Sequence, residues 1–494
     1  MSSFPKDFIW ACATSAYQVE GGYTADGKGP SIWDAICEQK GRISDGTNGN
    51  IACDSFHRYK EDIECLKKLG VTHYRFSISW PRVLPRGTID EINEQGLQYY
   101  ENLINGLISE HIEPIVTLFH WDFPLALTEL AGWLNPLSPK WFSDYAQLCF
   151  SRFGKNVKLW ITFNEICMHA WCSSFVIPGL PDHRVISSLN VDESSPYVAG
   201  HHMLLAHASA YRIYEEHFKN IQKGRVGIVF SGQWYEPLEA GEEAAARNAR
   251  IWTMDWLLHP ILREDYPCTM KQRLAEVFKQ TTSDTSLLPE FTKQEIQLVK
   301  GSADFIGLNY YTAVFCRKPN AERPTTPSMG ILSKHAVFEN CDDPRWERIC
   351  GDNCWIRNTP FGLRKMLRFM RDEYDNPPLL ITENGCADAL GEELLVDNAR
   401  IRYCNDHIRT IALAIKEDKA NVFGYTLWSL LDNFEWNSGY TLRFGLFHVD
   451  FNDAERKRTP KKSVAWYYDL IQRQQRAAKD ISNECLHFLS EESQ

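Results

Sequence analysis

The sequence predicts an α/β fold, a single (β/α)8 TIM barrel with long βα loops. Eight short runs rich in β-branched and aromatic residues alternate with longer amphipathic segments, as parallel strands alternate with covering helices. No internal repeat, heptad pattern or low-complexity linker divides the 494 residues. A large α/β barrel accommodates such a length in one domain, because insertions between strands and helices enlarge it.

The eight predicted strands follow one another along almost the whole chain. They are Phe8–Ala13, His73–Ser77, Pro114–Phe119, Leu159–Phe163, Val226–Phe230, Phe305–Asn309, Leu379–Thr382 and Val422–Leu427. Helical periodicity falls between them over Asp62–Leu69, Gly96–Ser109, Pro139–Arg152 and Pro196–Phe218. An open, doubly wound sheet has the same alternation and is the alternative. No Gly-x-Gly-x-x-Gly follows any strand, however, as nucleotide-binding sheets often show.

Four irregular stretches connect these elements, and none has the composition of a separate module. They are Gly179–Ser195, Thr281–Glu290, Cys316–Asp352 and Cys386–Asp397. The third is rich in proline, and we expect it to lie over the mouth of the barrel. We assign residues 1–472 to the barrel and residues 473–494 to a polar C-terminal tail that is expected to fray.

The composition limits the partners that the chain can have. Its net charge is -11 and its pI about 5.8, so its surface repels phosphate backbones and nucleic acid is not an expected partner. No run of about 20 apolar residues exists, so no membrane span is predicted. A small neutral substrate is more compatible with the negative net charge. We expect a monomer or a homodimer.

Cysteine usage and the first residues predict a cytoplasmic location. The fifteen cysteines are an odd number, and most lie in apolar runs such as Leu148-Cys149-Phe150, which suits free thiols in a reducing compartment. No Asn-x-Ser/Thr acceptor for N-glycans occurs. The chain runs from Met1-Ser2-Ser3 straight into an apolar strand, without the pattern of a secretory signal.

Polar and aromatic residues gather at the ends of the predicted strands. Strand three ends with Phe119-His120-Trp121-Asp122, strand four with Phe163-Asn164-Glu165, and strand six with Asn309-Tyr310-Tyr311. Strand seven ends with Thr382-Glu383-Asn384-Gly385. Strand eight ends at Trp428, and Asn433-Phe434-Glu435-Trp436 follows it. The C-terminal ends of barrel strands all face one cavity. Aromatic faces stack on the C–H surface of a sugar, and carboxylates and amides bind its hydroxyls. The cavity is therefore predicted to bind a sugar.

Glu165 and Glu383 end the fourth and seventh strands, on opposite walls of the predicted barrel. Glycoside cleavage needs two carboxyl groups that flank the scissile bond. Their separation is about 5 Å in enzymes that retain the anomeric configuration and about 6.5–9.5 Å in those that invert it. Residue order alone leaves the stereochemistry open. A lone glutamate at a strand end is usually a solvated loop residue or a helix cap, so this hypothesis depends on the whole set of residues.

No metal site and no cofactor are predicted. Cys350 and Cys354 are close in sequence, but no second pair of Cys or His has the spacing of metal ligands, which favours free thiols. The chain also has no His-Glu-x-x-His motif and no phosphate-binding loop.

Taken together, these features resemble glycoside hydrolase family 1 over nearly the whole chain. The run from Phe8 to Gly22 is similar to the family's N-terminal signature. Thr162-Phe163-Asn164-Glu165 resembles its acid/base motif, and Ile381-Thr382-Glu383-Asn384-Gly385 its nucleophile motif. Within the family the chain looks most like the cytosolic β-glucosidases of animals. The resemblance implies a retaining β-glycosidase that hydrolyses unphosphorylated β-D-glucosides through a covalent glycosyl-enzyme intermediate.

The resemblance also implies a role for each site residue. Glu383 would attack the anomeric carbon, and Glu165 would protonate the leaving oxygen and then activate water. The remaining roles are the following: Arg75 and Tyr311 hold Glu383 ionised, Asn164 binds the 2-hydroxyl, Gln18, His120, Trp428, Glu435 and Trp436 bind the rest of the glycone, and Trp355 lines the aglycone entrance. Arg75 is expected to lower the pKa of Glu383, and the charge of Glu383 to raise the pKa of Glu165.

Two positions depart from the family pattern. Ile166 follows Glu165 where proline is usual, which could loosen the loop that carries the acid/base residue. Cys386 follows the nucleophile motif where a bulkier apolar residue is common. Neither change removes a reactive group.

Other interpretations concern the substrate and the activity. A myrosinase of the insect type keeps the acid/base glutamate, whereas plant myrosinases replace it with glutamine, so Glu165 is compatible with the insect type only. A klotho-like binding protein would have lost catalytic glutamates, and both are present.

Relatives that cleave 6-phosphoglucosides carry a Ser- and Lys-containing loop after strand eight. Glu435 stands there instead and is expected to repel a phosphate.

Overall fold

The structure, a computed structural model, describes residues 4–174, 192–279, 287–319, 335–341, 344–351 and 354–491. Parts of three predicted irregular stretches, Gly179–Ser195, Thr281–Glu290 and Cys316–Asp352, lie outside these ranges. The fourth, Cys386–Asp397, consists of turns and coil.

Eight parallel strands form a closed barrel, which confirms the predicted fold. We number them β1 to β8: Ile9–Ala13, His73–Ser77, Glu113–Phe119, Leu159–Phe163, Arg225–Ser231, Phe305–Asn309, Leu379–Asn384 and Val422–Trp428. Each strand pairs with the next one in the chain, and β8 pairs with β1 to close the sheet, with Ile9 opposite Gly424. The closed order excludes the doubly wound alternative, and every boundary lies within two residues of its prediction.

Two apolar layers hold the barrel. Side chains alternate across a strand, so every second residue faces the interior. The interior cluster comprises Ile9, Ala11, Ile115, Leu159, Ile161, Val229, Phe305 and Leu380. The intervening residues pack outward against the helices in a much larger cluster. Because these layers fix the strands, the polar side chains at the strand ends have fixed starting points.

Helices cover the outside of the barrel. Those of at least eight residues in the described chain are Ser55–Leu69, Glu94–Ser109, Ser138–Phe153, Ile166–Ser174, Ser195–Ile213, Glu243–Arg250, Cys268–Lys279, Pro360–Glu373, Asn398–Lys416 and Lys462–Glu491. The helix predicted over Pro196–Phe218 ends its α-helical part at Ile213, and a π-helical turn, Tyr214–Phe218, follows. The last helix crosses the expected domain boundary at residue 472.

A small second sheet follows strands β5 and β6. Trp234–Pro237 pairs with Ala313–Arg317, which pairs with Glu339–Cys341. The stretch Cys316–Asp352, expected to be irregular, therefore contributes to two strands. Farther along, Phe447–Val449 and Arg458–Pro460 form an antiparallel pair. No helix in the described ranges has the length and apolar character needed to cross a membrane.

Candidate active site

A cavity of about 570 Å³ opens at the C-terminal end of the barrel, where the predicted site residues were expected. Most of them line it: His120, Asn164, Glu165, Tyr311, Trp355, Glu383, Trp428, Glu435 and Trp436. Arg75 and Gln18 lie behind this wall and are buried. No lysine or arginine is among the described residues that line the cavity. It is thus a space with acidic and aromatic walls.

Glu383, near the end of β7, has both carboxylate oxygens bound. Its Oε1 accepts a hydrogen bond from Arg75 Nη1 at 2.7 Å, and its Oε2 accepts one from the Tyr311 hydroxyl at 2.8 Å. Arg75 Nη1 also donates to the carbonyl of Thr382 at 2.9 Å, which ties the guanidinium to β7. The carboxylate is therefore held in one orientation at the cavity wall.

The pKa of Glu383 reflects opposing influences. Burial raises it above its ordinary value and is the largest influence, while Arg75, Tyr311 and Asn309 each lower it. Arg75 acts in the expected direction, but the net shift is upward, because the carboxylate is almost fully removed from water. Burial also keeps Tyr311 protonated, since its pKa lies well above 10. Tyr311 is thus a hydrogen-bond donor to Glu383 at neutral pH.

Glu165 follows β4 and faces Glu383 across the cavity. Its Oε1 accepts a hydrogen bond from Asn309 Nδ2 at 3.0 Å. Burial raises the pKa of Glu165 to about 8, and the nearby charge of Glu383 contributes in the same direction. At neutral pH Glu165 therefore carries a proton. The site combines a carboxylate stabilised by Arg75 with a carboxyl group able to act as an acid.

The backbone at Glu165 is unusual for a residue with a side chain. Its φ is +47°, and its carbonyl accepts the first bond of the following helix from the His169 N–H at 3.1 Å. Ile166 begins that helix, Ile166–Ser174, and its side chain is fully buried. The position is thus fixed by apolar packing and by the helix, without the usual proline.

Asn164 connects the two walls of the site. Its Oδ1 accepts from Arg75 Nη2 at 2.7 Å and from Asn309 Nδ2 at 3.1 Å. These bonds orient its Nδ2 toward His120 Nε2, 3.1 Å away, which therefore accepts. Burial lowers the pKa of His120 well below 6.5, so its ring is neutral.

Aromatic rings make up much of the remaining cavity wall. Trp428 and Trp436 lie 5.7 and 6.1 Å from His120, with rings nearly parallel to it. Trp121 packs on Trp436 at 4.9 Å. At the opening, Trp355 is 53% exposed and meets Tyr311 edge-on at 5.4 Å. Such faces suit the C–H surfaces of a sugar inside and an apolar group at the entrance.

Glu435 lies below the tryptophans and accepts a hydrogen bond from Trp428 Nε1 at 3.4 Å. Burial raises its pKa to about 8, and the charge of Glu383 adds to this, while hydrogen bonds from Trp428, Asn433 and Gln18 oppose it. Glu435 is therefore largely protonated at pH 7. The charge repulsion expected against a phosphorylated sugar is correspondingly weaker than the sequence suggested.

The loop that carries Glu435 is anchored by a buried ion pair. Asp432 accepts from Lys461 Nζ at 2.8 Å, and neither side chain has exposed surface. Lys461 and nearby groups lower the pKa of Asp432 to about 2 against the cost of burial. Next to it, Gln18 Nε2 donates to Asn433 Oδ1 at 2.9 Å. Gln18 thus contacts the loop that presents Glu435.

Asn309 is a residue of the site that sequence reasoning missed. Besides its bonds to Glu165 and Asn164, its Oδ1 accepts from the Thr382 hydroxyl at 2.7 Å. It is the last residue of a predicted strand, but a role was assigned only to Tyr311, two residues later. Met168 and Gln233 also line the cavity, and no strand-end pattern marked either of them.

The geometry of the cavity defines a class of protein. A barrel with an anchored carboxylate opposite a protonated carboxyl group, beneath aromatic walls, has the groups that glycoside cleavage requires.

Comparisons with known proteins agree with that class. Residues 1–476 match the model of glycosyl hydrolase family 1. The chain is 42% identical to Myrosinase 1 of Brevicoryne brassicae, over 95% of this chain and 98% of the relative, and 39% identical to the human cytosolic β-glucosidase, with the same coverages. A mutant rice β-glucosidase solved in a covalent complex with Glc is 36% identical, with a TM-score of 0.84, covering 94% of this chain and 98% of that one.

The chain belongs to glycosyl hydrolase family 1 and is a glycoside hydrolase. The predicted family and enzyme class are confirmed.

Proposed function

We propose that this protein is a retaining β-glucosidase that acts on unphosphorylated β-D-glucosides. One observation carries the proposal: Glu383 is held by Arg75 and Tyr311, whereas Glu165 across the cavity keeps its proton. This asymmetry supplies a nucleophile and an acid at the same pH.

The two carboxyl groups have successive roles in this scheme. Glu383 attacks the anomeric carbon while Glu165 protonates the leaving oxygen, which gives a glucosyl ester on Glu383. Forming the ester removes the negative charge of Glu383, one of the influences that raise the pKa of Glu165. Glu165 can then lose its proton and act as the base that activates water. Two displacements at one carbon retain the β configuration.

The surrounding residues would bind the glucosyl unit. We assign the 2-hydroxyl to Asn164, whose amide is oriented by Arg75 and Asn309. The other hydroxyls and the sugar face are assigned to Gln18, His120, Trp428, Glu435 and Trp436. Trp355 is assigned to the aglycone, because it stands exposed at the opening.

An unphosphorylated sugar fits the charges of the cavity. A phosphate dianion there would meet Glu435 and Glu383, and no lysine or arginine lines the described part of the wall. The human cytosolic β-glucosidase and the rice β-glucosidase structure, to which this chain is similar, support the glucoside assignment.

Product stereochemistry and a panel of glycosides test the proposal. Proton NMR during rapid hydrolysis of an aryl β-glucoside should show β-glucose first, with the α anomer appearing only as the sugar mutarotates. The value of kcat/KM should be higher for the aryl glucoside than for its 6-phosphate. Release of α-glucose first, or preference for the phosphate, would contradict the proposal.

A thioglucosidase is the second candidate, because the chain is 42% identical to Myrosinase 1 of Brevicoryne brassicae. Insect-type myrosinases keep the acid/base glutamate, as β-glucosidases do, so the presence of Glu165 does not distinguish the two activities. A glucosinolate carries a sulfate, however, and the described lining of the cavity offers it no cation. We therefore expect kcat/KM for an aryl O-glucoside to exceed that for a glucosinolate. The reverse order would identify a myrosinase.

We also propose a cytoplasmic location and a monomeric or homodimeric state. The location is supported by the human relative, which is named cytosolic, and by the burial of most described thiols. Fractionation of cells that express the native chain tests the location. Light scattering on the purified protein tests the oligomeric state.

A further inference from the structure

Hydrogen bonds from two directions hold the backbone of Tyr310 and Tyr311, which follow β6. The Tyr310 N–H donates to the Glu383 carbonyl at 2.9 Å. The Tyr310 carbonyl accepts from Asn384 Nδ2 at 2.7 Å, and the Tyr311 carbonyl accepts from the Tyr403 hydroxyl at 2.5 Å. Successive peptide groups of this segment are therefore tied to the strand that carries Glu383 and to the helix that follows this strand.

Tyr403 is itself firmly placed. It is fully buried on the helix Asn398–Lys416, and its ring packs on the ring of His407 at 4.0 Å. Its hydroxyl accepts a hydrogen bond from Asn384 Nδ2 at 3.1 Å while it donates to the Tyr311 carbonyl. The other end of the Asn384 amide, Oδ1, accepts from the Tyr425 hydroxyl at 2.9 Å. Tyr403 is thus a fixed donor within a closed network of buried polar groups.

The Tyr311 ring depends on its backbone for its direction. It lines the active-site cavity, so packing restrains it on one side only. Its ring neighbours there, Trp355 at 5.4 Å and Phe444 at 6.3 Å, both meet it edge-on, and Trp355 is itself largely exposed. The hydroxyl that donates to Glu383 lies at the far end of this ring. A small rotation of the Tyr311 peptide group would therefore displace that hydroxyl from the carboxylate.

We propose that Tyr403 is a positioning residue of the active site, which holds the Tyr311 hydroxyl on Glu383 by fixing the Tyr311 carbonyl. Tyr403 is not among the described residues that line the cavity, so it acts on the reaction only through Tyr311. The kinetic consequence of this role rests on the proposed function, because it requires Glu383 to be the nucleophile. The geometric consequence does not.

The role has a direct effect on the ionisation of Glu383. The hydrogen bond from Tyr311 lowers the pKa of Glu383, so weakening that bond raises the pKa. Attack requires the ionised carboxylate, and the acidic limb of kcat/KM should therefore move to higher pH. The other charged or titratable groups around Glu383 are Arg75 on β2, Glu165 after β4 and Glu435 after β8, and each keeps its own hydrogen bonds.

A substitution that removes one oxygen atom tests the kinetic role. In Tyr403→Phe the ring and its packing remain, and we expect kcat/KM for an aryl β-glucoside to fall several-fold, with the acidic limb displaced to higher pH. Tyr467→Phe is the matched control. Tyr467 is also fully buried, and its hydroxyl donates to the Ala11 carbonyl on β1 at 2.9 Å. The control should leave the limb where it is in the wild type.

The same change in a Tyr311→Phe background separates positioning from a general loss of structure. Without the Tyr311 hydroxyl, Tyr403 has nothing to position, so Tyr403→Phe should displace the limb no further and lower kcat/KM little more. His407 also titrates at acidic pH, since burial lowers its pKa to about 4. A displacement caused by His407 would persist in this background. Equal effects in the two backgrounds, or an unmoved limb in Tyr403→Phe, would overturn the proposal.

Crystal structures of Tyr403→Phe and Tyr467→Phe test the geometry without a substrate. The distance from the Tyr311 hydroxyl to Glu383 Oε2 is 2.8 Å in the wild type. We expect it to lengthen in Tyr403→Phe and to be retained in Tyr467→Phe. A retained distance in Tyr403→Phe would overturn the positioning role whatever the substrate is. A lengthened distance in an enzyme that releases α-glucose first would instead leave the positioning role intact and contradict the proposed function.

Discussion

At the scale of residues, Arg75 determines how charge is distributed in the site. It donates to Glu383 and to Asn164, and so connects the β7 and β4 walls. Glu165 and Glu435 have no such cation, and burial raises the pKa of each to about 8. Glu383 is the one of the three with a direct bond to a guanidinium, and Arg75, Tyr311 and Asn309 all favour its ionised form. The proposed division into nucleophile and acid thus follows from the groups placed around each carboxyl group.

The role of Glu165 predicts a difference between leaving groups. In Glu165→Gln no proton can be given to the departing oxygen, which alkyl glucosides need and activated aryl glucosides hardly need. We expect the loss in the glycosylation rate to be larger for the alkyl substrate by about 100- to 10,000-fold, the usual contribution of general acid catalysis. Single-turnover kinetics on both substrates measure it. Equal losses would assign Glu165 a structural role.

The pKa of Glu165 predicts the alkaline side of the pH profile. In the proposed mechanism Glu165 must carry a proton, so kcat/KM should fall as pH rises through about 8, where the carboxyl group ionises. Asn309 lowers this pKa by its hydrogen bond. In Asn309→Ala the alkaline limb should therefore move to higher pH, while the maximum of kcat/KM falls because Asn164 and Glu165 lose their orientation. A lower maximum with an unmoved limb would mean that Asn309 only supports the fold.

At the scale of elements, the sequence predicted those features that depend on neighbouring residues in the chain, such as the end of a strand. Strand β4 is apolar except for Thr162 and is followed by Asn164 and Glu165, and that change placed Glu165 at the rim. The pairing of Trp234–Pro237 with Ala313–Arg317 could not be foreseen, because it joins segments far apart in the chain. Asn309 was missed for a similar reason: its importance lies in three partners from other strands. Fold and motif positions were predictable, but these long-range contacts were not.

The helix after Glu165 allows a test of the missing proline. Ile166 is the first helical residue, where the backbone N–H has no partner within the helix and proline is tolerated. Ile166→Pro loses some buried apolar surface but restricts the unfolded chain. We expect the free energy of unfolding to change by no more than about 1 kcal/mol and kcat/KM to be retained.

A matched control has the same substitution inside a helix. Ile411 is fully buried in the middle of Asn398–Lys416, so Ile411→Pro should cost about 3 kcal/mol or more. Chemical denaturation measures the free energy of unfolding of both variants, and an activity assay measures their kcat/KM. A loss for Ile166→Pro as large as that of the control would show that the isoleucine is needed to hold Glu165.

At the scale of the whole molecule, the closed barrel brings residues that are distant in sequence into one cavity. Arg75, Glu165 and Glu383 come from β2, from the end of β4 and from β7, and each stands on a strand fixed between two apolar layers. That strands would be covered by helices was predictable from the alternation of short apolar runs with amphipathic segments along the chain. The path of the loops over the mouth was not.

The thiols of the whole chain give a test of its compartment. The thirteen cysteines described in the structure form no disulfide, and most are buried. We expect all fifteen cysteines of protein isolated without oxidation to be alkylated after unfolding, and the intact mass to show no glycan. Several bridges or an attached glycan would contradict the cytoplasmic assignment.

The product formed in azide shows whether Glu383 is the nucleophile of a retaining enzyme. Glu383→Gly should lose turnover by several orders of magnitude, since no glucosyl ester can form. Azide should enter the space left by the carboxylate and attack an activated aryl β-glucoside from the opposite face, giving α-glucosyl azide. Glu165→Gly is the matched control and should give the β azide by way of the ester. Near-normal activity of Glu383→Gly without azide, or a β azide from that variant, would contradict the assignment.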